Sequence, residues 1–389
     1  MAATTPFPIT PKATALIALA VHATTIRLAA GTLIVIVLTT FLIGTAWDIQ
    51  WHPSVGRDKA LTSPHLLMLG GIAASGLISL SVVLYESWIA WRGAGINDSN
   101  STRLFVFFRA PIGFAVSGFG ALLAALAFPL DDYWHTLYGV DVTLWAPFHI
   151  MIIFSMVMVG LGATYAFASE MNRAGEGRGK LAAQLGVTAT LAMTLATFLL
   201  VIPQANTDDG LAAIGSYKFA LYPLILAFAL STFLISATLV TRLPGAATIL
   251  ALAFTALRVG MYLFVPWAMD VAVAAEGFAY RPNPPQEIIT PYAYPTSILF
   301  AALAIDIVYW LMRRRGGTGT QMLITTGVIT AVLGTFWDKP WASVMTRFYF
   351  PDLNVDAVLL SALPFTILAA IIGAGVAVLL SRGLSTTRQ

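Results

Sequence analysis

The sequence predicts an all-α integral membrane protein, a polytopic bundle of about ten transmembrane helices built from helix hairpins. Three observations predict it. Hydrophobic residues fill 58% of the 389 positions and charged residues only 10%, against roughly 45–50% and 25% in a soluble domain. The mean hydropathy is +0.82. Apolar runs near the ~20 residues that cross ~30 Å of hydrocarbon recur about ten times. A helix satisfies its own backbone hydrogen bonds in lipid, so helices rather than a barrel are the expected spanning element.

Taken in order, the expected spans are 25–47, 65–91, 106–129, 145–169, 181–203, 218–240, 244–268, 292–312, 319–338 and 356–380. Polar stretches mark the turns: RGAGINDSNSTR (92–103) follows the second span, NRAGEGRGK (172–180) the fourth and RRRGGTGTQ (313–321) the eighth. The long loop around RPNPPQE (281–287) separates the seventh span from the eighth. No soluble domain interrupts them, so residues 1–389 read as one transmembrane domain. It comprises a first hairpin at 25–91, a second at 106–169, and six further helices over 181–380 that contain no histidine. Residues 12–23, KATALIALAVHA, have a lysine, a short apolar run and an Ala-x-Ala-like end. They read as a juxtamembrane segment rather than a signal peptide, because the first span follows at once.

Charge sets the expected orientation. With ten alternating helices, Lys12, Arg27, Arg92, Arg103, Arg109, Arg173, Arg178, Lys180, Arg242, Arg313, Arg314, Arg315, Arg382 and Arg388 all fall on one side. The positive-inside rule makes that side cytoplasmic. The protein is then expected in the cell membrane with both termini in the cytoplasm. The sequence pI of about 9.1 reflects this topology; no basic patch interleaved with aromatics indicates a nucleic-acid partner. The Gly-rich GEGRG (175–179) lacks a phosphate-loop pattern, and no serine sits in a nucleophile-elbow context.

Cysteine is absent, which removes disulfides, thiolate metal sites and cysteine nucleophiles together. Any metal must be held by histidine, carboxylate or carbonyl groups. The chain has five histidines, and four occupy matching places in two related segments. AWDIQWHPSVGRDKALTSPH (46–65) aligns with LDDYWHTLYGVDVTLWAPFH (130–149), bringing Asp48, Trp51, His52, Gly56, Asp58 and Pro64 onto Asp131, Trp134, His135, Gly139, Asp141 and Pro147. The offset is a constant 83 residues, with one insertion before the last histidine. GTFWDKPW (334–341) echoes GTAWDIQW (44–51) without any histidine after it. His22, the fifth histidine, reads as an ordinary polar residue near the start of the first span.

Residues four apart on a helix share a face, with Cβ atoms ~5–6 Å apart. Asp48 and His52 can therefore converge on one point, as can Asp131 and His135. The returning helix adds His65 in the first hairpin and His149 in the second. Each hairpin thus offers one carboxylate and two imidazoles, a set that suits copper, zinc, iron or nickel and leaves coordination positions open. Asp58, Asp132 and Asp141 are candidates for orienting the imidazole N–H groups not used for metal. The competing reading makes these residues interfacial, since polar and aromatic groups gather at headgroup level. That accounts for any one of them but not for the recurrence of an aspartate one turn before a histidine.

The pattern resembles the C subunit of the membrane-bound copper monooxygenases, the particulate methane and ammonia monooxygenase family. The residues that carry the likeness are Asp48, Trp51-His52, Arg57-Asp58 and TSPH (62–65), then Asp131, His135-Thr136 and APFH (146–149), within residues 44–155. The resemblance implies that Asp48, His52 and His65 form one copper triad. It matches Asp131, His135 and His149 to a neighbouring triad in which that family has asparagine in place of aspartate. It further implies oxygen activation at the outer membrane face, oxidation of a small apolar substrate, a reductant such as a quinol, and partner subunits or a homo-oligomer. A non-catalytic protein that stores or moves copper is the alternative, and a transporter or structural subunit with interfacial histidines a third.

Other residues stand out against the apolar background. Arg258 and Asp306 fall inside the seventh and eighth spans, where a lone charge costs ~2.5–3.5 kcal/mol on insertion scales. Mutual pairing is the simplest relief. Glu86 lies near the inner surface, where snorkelling or a contact with Arg92 suffices. Trp47, Trp51, Trp134, Tyr138 and Trp145 surround the proposed ligands, as an aromatic belt or as a dry wall. The loop 266–295 is expected to be an interfacial pad rather than a lid.

Overall fold

The computed structural model describes residues 11–56, 61–92, 101–139, 144–202, 210–283, 297–315, 319–337 and 359–385, with side chains from His22 onward except at position 337. Among them are ten α-helices: α1 (Pro11–Ser54), α2 (Ser63–Trp91), α3 (Ile112–Tyr138), α4 (Pro147–Arg173), α5 (Arg178–Phe198), α6 (Tyr222–Thr241), α7 (Ala246–Ala275), α8 (Ile298–Arg314), α9 (Thr320–Trp337) and α10 (Leu363–Ser385). Eight are long and apolar enough to cross a membrane, and a ninth apolar segment, Thr320–Phe336, is shorter. The protein is an all-α polytopic membrane protein.

Two segments read as the starts of spans are strands instead. The expected third span begins at 106, yet Ser101–Leu104 (β1) and Phe108–Pro111 (β2) form an antiparallel ribbon and the helix starts only at Ile112. Hydropathy alone cannot separate the two, because LFVFF is as apolar as a helix but rich in strand-favouring aromatic and β-branched residues. Likewise Leu211–Ile214 (β3) and Tyr217–Ala220 (β4) form a tight hairpin closed at Gly215-Ser216, ahead of α6. Gly215 has φ +62°, a conformation the two-residue hairpin demands and glycine supplies.

The histidine-bearing helices make a four-helix unit. Helices α1 and α2 pack as one hairpin and α3 and α4 as another, joined by α2 against α3 and α1 against α4. The α3–α4 contact is close because its residues are small. A Cβ on Gly113 would stand 2.6 Å from the Gly162 carbonyl oxygen, and one on Gly120 would stand 2.7 Å from that of Ser155. Ser117 Oγ donates across the same seam to the Val159 carbonyl at 2.9 Å. Small residues let backbones approach where lipid supplies no hydrophobic drive. Helix α5 connects this unit to α6 and α7, and α6 packs against α7, α8, α9 and α10.

A charged cluster lies at the other end of the four-helix unit, about 21 residues or ~32 Å along α1 from Asp48. Arg27, Glu86 and Glu170 are buried, at 3%, 7% and 1% exposure. Arg27 donates through Nε and Nη2 to both carboxylate oxygens of Glu86, and through Nη1 to Glu170 Oε1 at 3.0 Å. Arg173 also reaches Glu170 Oε1 at 3.1 Å. Glu86 therefore pairs with Arg27, not with Arg92, which lies over the Trp88 ring at 4.3 Å.

Asp306 and Arg258 are corrected too. Asp306 accepts from the backbone N–H groups of Ala247 and Thr248, at 3.4 and 2.7 Å. It thus satisfies orphan donors in the first turn of α7, where the helix dipole also favours an anion. Arg258 is about ten residues further along the same helix, ~15 Å away, so the two charges do not pair.

Candidate metal centres

Helix α1 runs past the expected end at 47 and carries Asp48 and His52 in its last two turns. Because they are four apart, both side chains leave the same face. Helix α2 starts at Ser63 with Pro64 in its first turn, where proline's fixed φ and missing N–H are tolerated. That start places His65 opposite the pair. His65 Nε2 stands 3.1 Å from Asp48 Oδ1, and His52 Nε2 stands 3.4 Å from Asp48 Oδ2.

The second hairpin repeats the construction. Asp131 and His135 lie in the last two turns of α3, and α4 starts with Pro147 two residues before His149. His149 Nε2 is 3.2 Å and His135 Nε2 3.9 Å from Asp131 Oδ2. In each triad one potential ligand atom per residue lies within 4.8 Å of the others. The groups are partly covered; His149 is the most open, its side chain 22% exposed. The two triads are neighbours: the His65 ring meets Phe128 edge-on at 5.4 Å, and Phe128 is three residues before Asp131 on α3.

These side chains fit a cation chemically. Asp131 Oδ1 is buried with no hydrogen-bond partner among the described residues. A buried polar atom left so costs ~1–3 kcal/mol, and an ion at the triad would relieve that. The donor set of two imidazoles and a carboxylate leaves open positions for small ligands. Near the first triad, Trp47 Nε1 and Thr62 Oγ1 are likewise buried without a partner. Thr62 was not singled out by the sequence; its place one turn before His65 was the available signal.

Of the proposed orienting carboxylates, Asp58 and Asp141 lie outside the described residues. Asp132 is exposed and belongs to neither triad; its carbonyl accepts from Thr136 Oγ1 at 3.0 Å. It sits one position round the helix from Asp131 and so leaves a different face. The aromatics divide. Trp51 is fully buried and Trp47 nearly so, with Trp51 edge-on to Phe278 at 5.9 Å and Trp47 edge-on to Phe264 at 6.1 Å. They form a dry wall inside the bundle. Tyr138 is exposed and meets Trp134 at 4.4 Å with the ring planes tilted by 43°. Trp145 donates to the Val201 carbonyl at 3.0 Å. His22 is exposed and meets the Tyr85 ring edge-on at 6.1 Å.

The described part of the 266–295 segment is not a free pad. Arg281 N–H donates to the Ser54 carbonyl at 2.8 Å, and Ser63 Oγ donates to Glu276 Oε1 at 2.5 Å. Phe278 packs on Trp51, and the Arg281 guanidinium fills the space beside Gly56 that a Cβ would take. Residues 276–281 therefore tie down Ser54 and Gly56 after His52, and Ser63 before His65.

Compared with known proteins, the chain matches no family model, no curated protein and no solved structure. Its class is set by the fold and the site alone: a polytopic α-helical membrane protein with two adjacent carboxylate-histidine groups able to hold metal ions.

Proposed function

We propose that the protein is a membrane copper monooxygenase subunit whose two centres, Asp48/His52/His65 and Asp131/His135/His149, activate O2, with two electrons from a quinol or other reductant, to oxidise a small apolar substrate at the outer membrane face. The observation that carries this reading is the twofold convergence of an Asp-x3-His turn with a histidine from the returning helix, within 4.8 Å each time. Copper is favoured over zinc or iron by the likeness of residues 44–155 to the copper monooxygenase subunit, and the open positions favour chemistry over a structural role. When bound, copper supplies one-electron redox chemistry with O2. The chain's own groups do the rest. Asp48 and Asp131 provide the negative charge that offsets the cation, and the four imidazoles fix its position. Trp47, Trp51 and Phe278 exclude water from one side, and the strap at 276–281 holds Ser54 and Ser63, near His52 and His65 in the chain.

A second reading, non-catalytic copper handling, is favoured by one feature, the greater openness of His149. An ion there is accessible for exchange. The experiment is metal analysis of detergent-purified protein. Wild type is expected to hold two copper ions per chain, and His52→Ala and His135→Ala about one each. Equal copper in all three samples overturns both readings. If copper is bound, a paramagnetic signal that changes with reductant and O2 supports oxidation, whereas an unresponsive, freely exchanging ion supports handling.

A further inference from the structure

At the end of the four-helix unit opposite the triads, the β1–β2 ribbon, α2 and α3 enclose an apolar groove of about 570 Å³. Gly76 and Leu80 of α2, Gly118 and Leu122 of α3, and Leu104 and Phe108 of the ribbon line it, and Ser79 supplies the one hydroxyl. The small residues make the groove: with Gly76 facing Gly118's helix, the nearest atom to a Cβ placed on Gly76 is Ala121 Cβ at 3.5 Å. The ribbon tip is Phe105-Val106-Phe107, exposed at 72%, 81% and 71%. Phe105 and Val106 both hold positive φ, 48° and 69°, a region that non-glycine and especially β-branched residues rarely occupy. Three exposed apolar residues at a strained tip suit hydrocarbon, not water.

The ribbon's other face carries charge. Arg103 and Arg109 are direct cross-strand partners, an arrangement in which like charges destabilise the pair. Neither guanidinium has an ion pair or hydrogen bond among the described residues. Arg92 stands at the adjoining end of α2. A planar guanidinium pair matches phosphate oxygens, and long arginine side chains reach headgroup level while their stems stay in apolar surroundings. The apolar tip and the paired cations lie on one element, Ser101–Pro111, whose Leu104, Phe105 and Phe108 also close one side of the groove.

We infer that this element, with α2 and α3, is a binding site for an anionic phospholipid, with an acyl chain in the α2–α3 groove against the Leu104/Phe108 face of the ribbon. The headgroup turns over the ribbon edge, so that its phosphate meets Arg103 and Arg109 on the opposite face. The charge complementarity commits the site to phospholipid rather than to a second protein. The inference is independent of the metal reading, since the site stands at the opposite end of the bundle.

The test uses the full chain reconstituted in nanodiscs of phosphatidylcholine containing a minor fraction of phosphatidylglycerol, followed by release into detergent and native mass spectrometry. Wild type is expected to retain phosphatidylglycerol several-fold above its share of the disc. Arg103→Gln/Arg109→Gln should bring retention down to that share, Arg103→Lys/Arg109→Lys should restore part of it, and Gly76→Leu, which fills the groove, should reduce it with both arginines intact. Arg382→Gln, on α10, should leave it unchanged. Thermal melting in detergent identifies any variant that fails to fold, and the lysine pair then decides. The inference is overturned if the glutamine pair retains as much lipid as wild type, if Arg382→Gln lowers it equally, or if inorganic phosphate displaces it, which would mark a simple anion site.

Discussion

Single residues divide into those whose chemistry is readable in the sequence and those whose partners are not. Asp48, His52, His65, Asp131, His135 and His149 were legible because histidine is scarce here and i,i+4 spacing on a helix has one geometric meaning. Their convergence needed only that two helices return on themselves. The Arg27–Glu86–Glu170 cluster was not legible: its members are 59 and 143 residues from Arg27, and nothing local distinguishes Arg27 from the other topological cations. Asp306 was visible as an anomaly, but its partner is a helix terminus and not a side chain. Removing one member of a buried charge cluster leaves the others uncompensated, at a cost of ~3–5 kcal/mol. Arg27→Ala should therefore lower the melting temperature sharply, while Arg27→Ala with Glu86→Gln and Glu170→Gln should recover most of the loss. Thermal unfolding in detergent checks both, and an Arg27→Ala melt like that of wild type would show that the cluster does not stabilise the bundle.

At the scale of elements, the triads depend on how closely helices meet. Each site takes its histidines from two helices, so anything that separates the pair dissolves the site. Gly120 approaches the Ser155 carbonyl so closely that a Cβ there would stand 2.7 Å away. Gly120→Leu should push α3 from α4 and remove the copper of the Asp131 triad, leaving that of the Asp48 triad. Metal content falling from two ions to one is the expected result; unchanged content would mean that the α3–α4 seam does not position Asp131 and His149. Elements were also where hydropathy misled. The ribbon at Ser101–Pro111 and the hairpin at Leu211–Ala220 have the apolar content of helix starts, and only their aromatic and β-branched composition and the Gly-Ser turn point to strands. The strap at 276–281 was hidden for another reason: it joins segments far apart in sequence, Glu276 to Ser63 and Arg281 to Ser54 and Gly56, and no local pattern advertises such contacts.

For the whole molecule, the two triads share one end of the four-helix unit and the buried charge cluster, the Arg103/Arg109 ribbon and Arg173 share the other. The distribution of basic residues predicts that the triad end is extracytoplasmic. The chain's lack of cysteine makes this directly measurable. In intact cells, Asn283→Cys should react with a membrane-impermeant maleimide and Gly175→Cys should react only after permeabilisation; the reverse pattern would invert the proposed orientation. The neighbouring placement of the triads across the His65–Phe128 contact means that the metal reading stands or falls at one location. X-ray diffraction from copper-loaded crystals, recorded above and below the copper edge, tests it most directly. Two anomalous peaks are expected, one within ~2.0–2.2 Å of ligand atoms of Asp48, His52 and His65 and one similarly placed among Asp131, His135 and His149, as metal–N and metal–O distances require. Density free of anomalous signal at both triads, with their imidazoles bonded only to protein or water, would contradict the account.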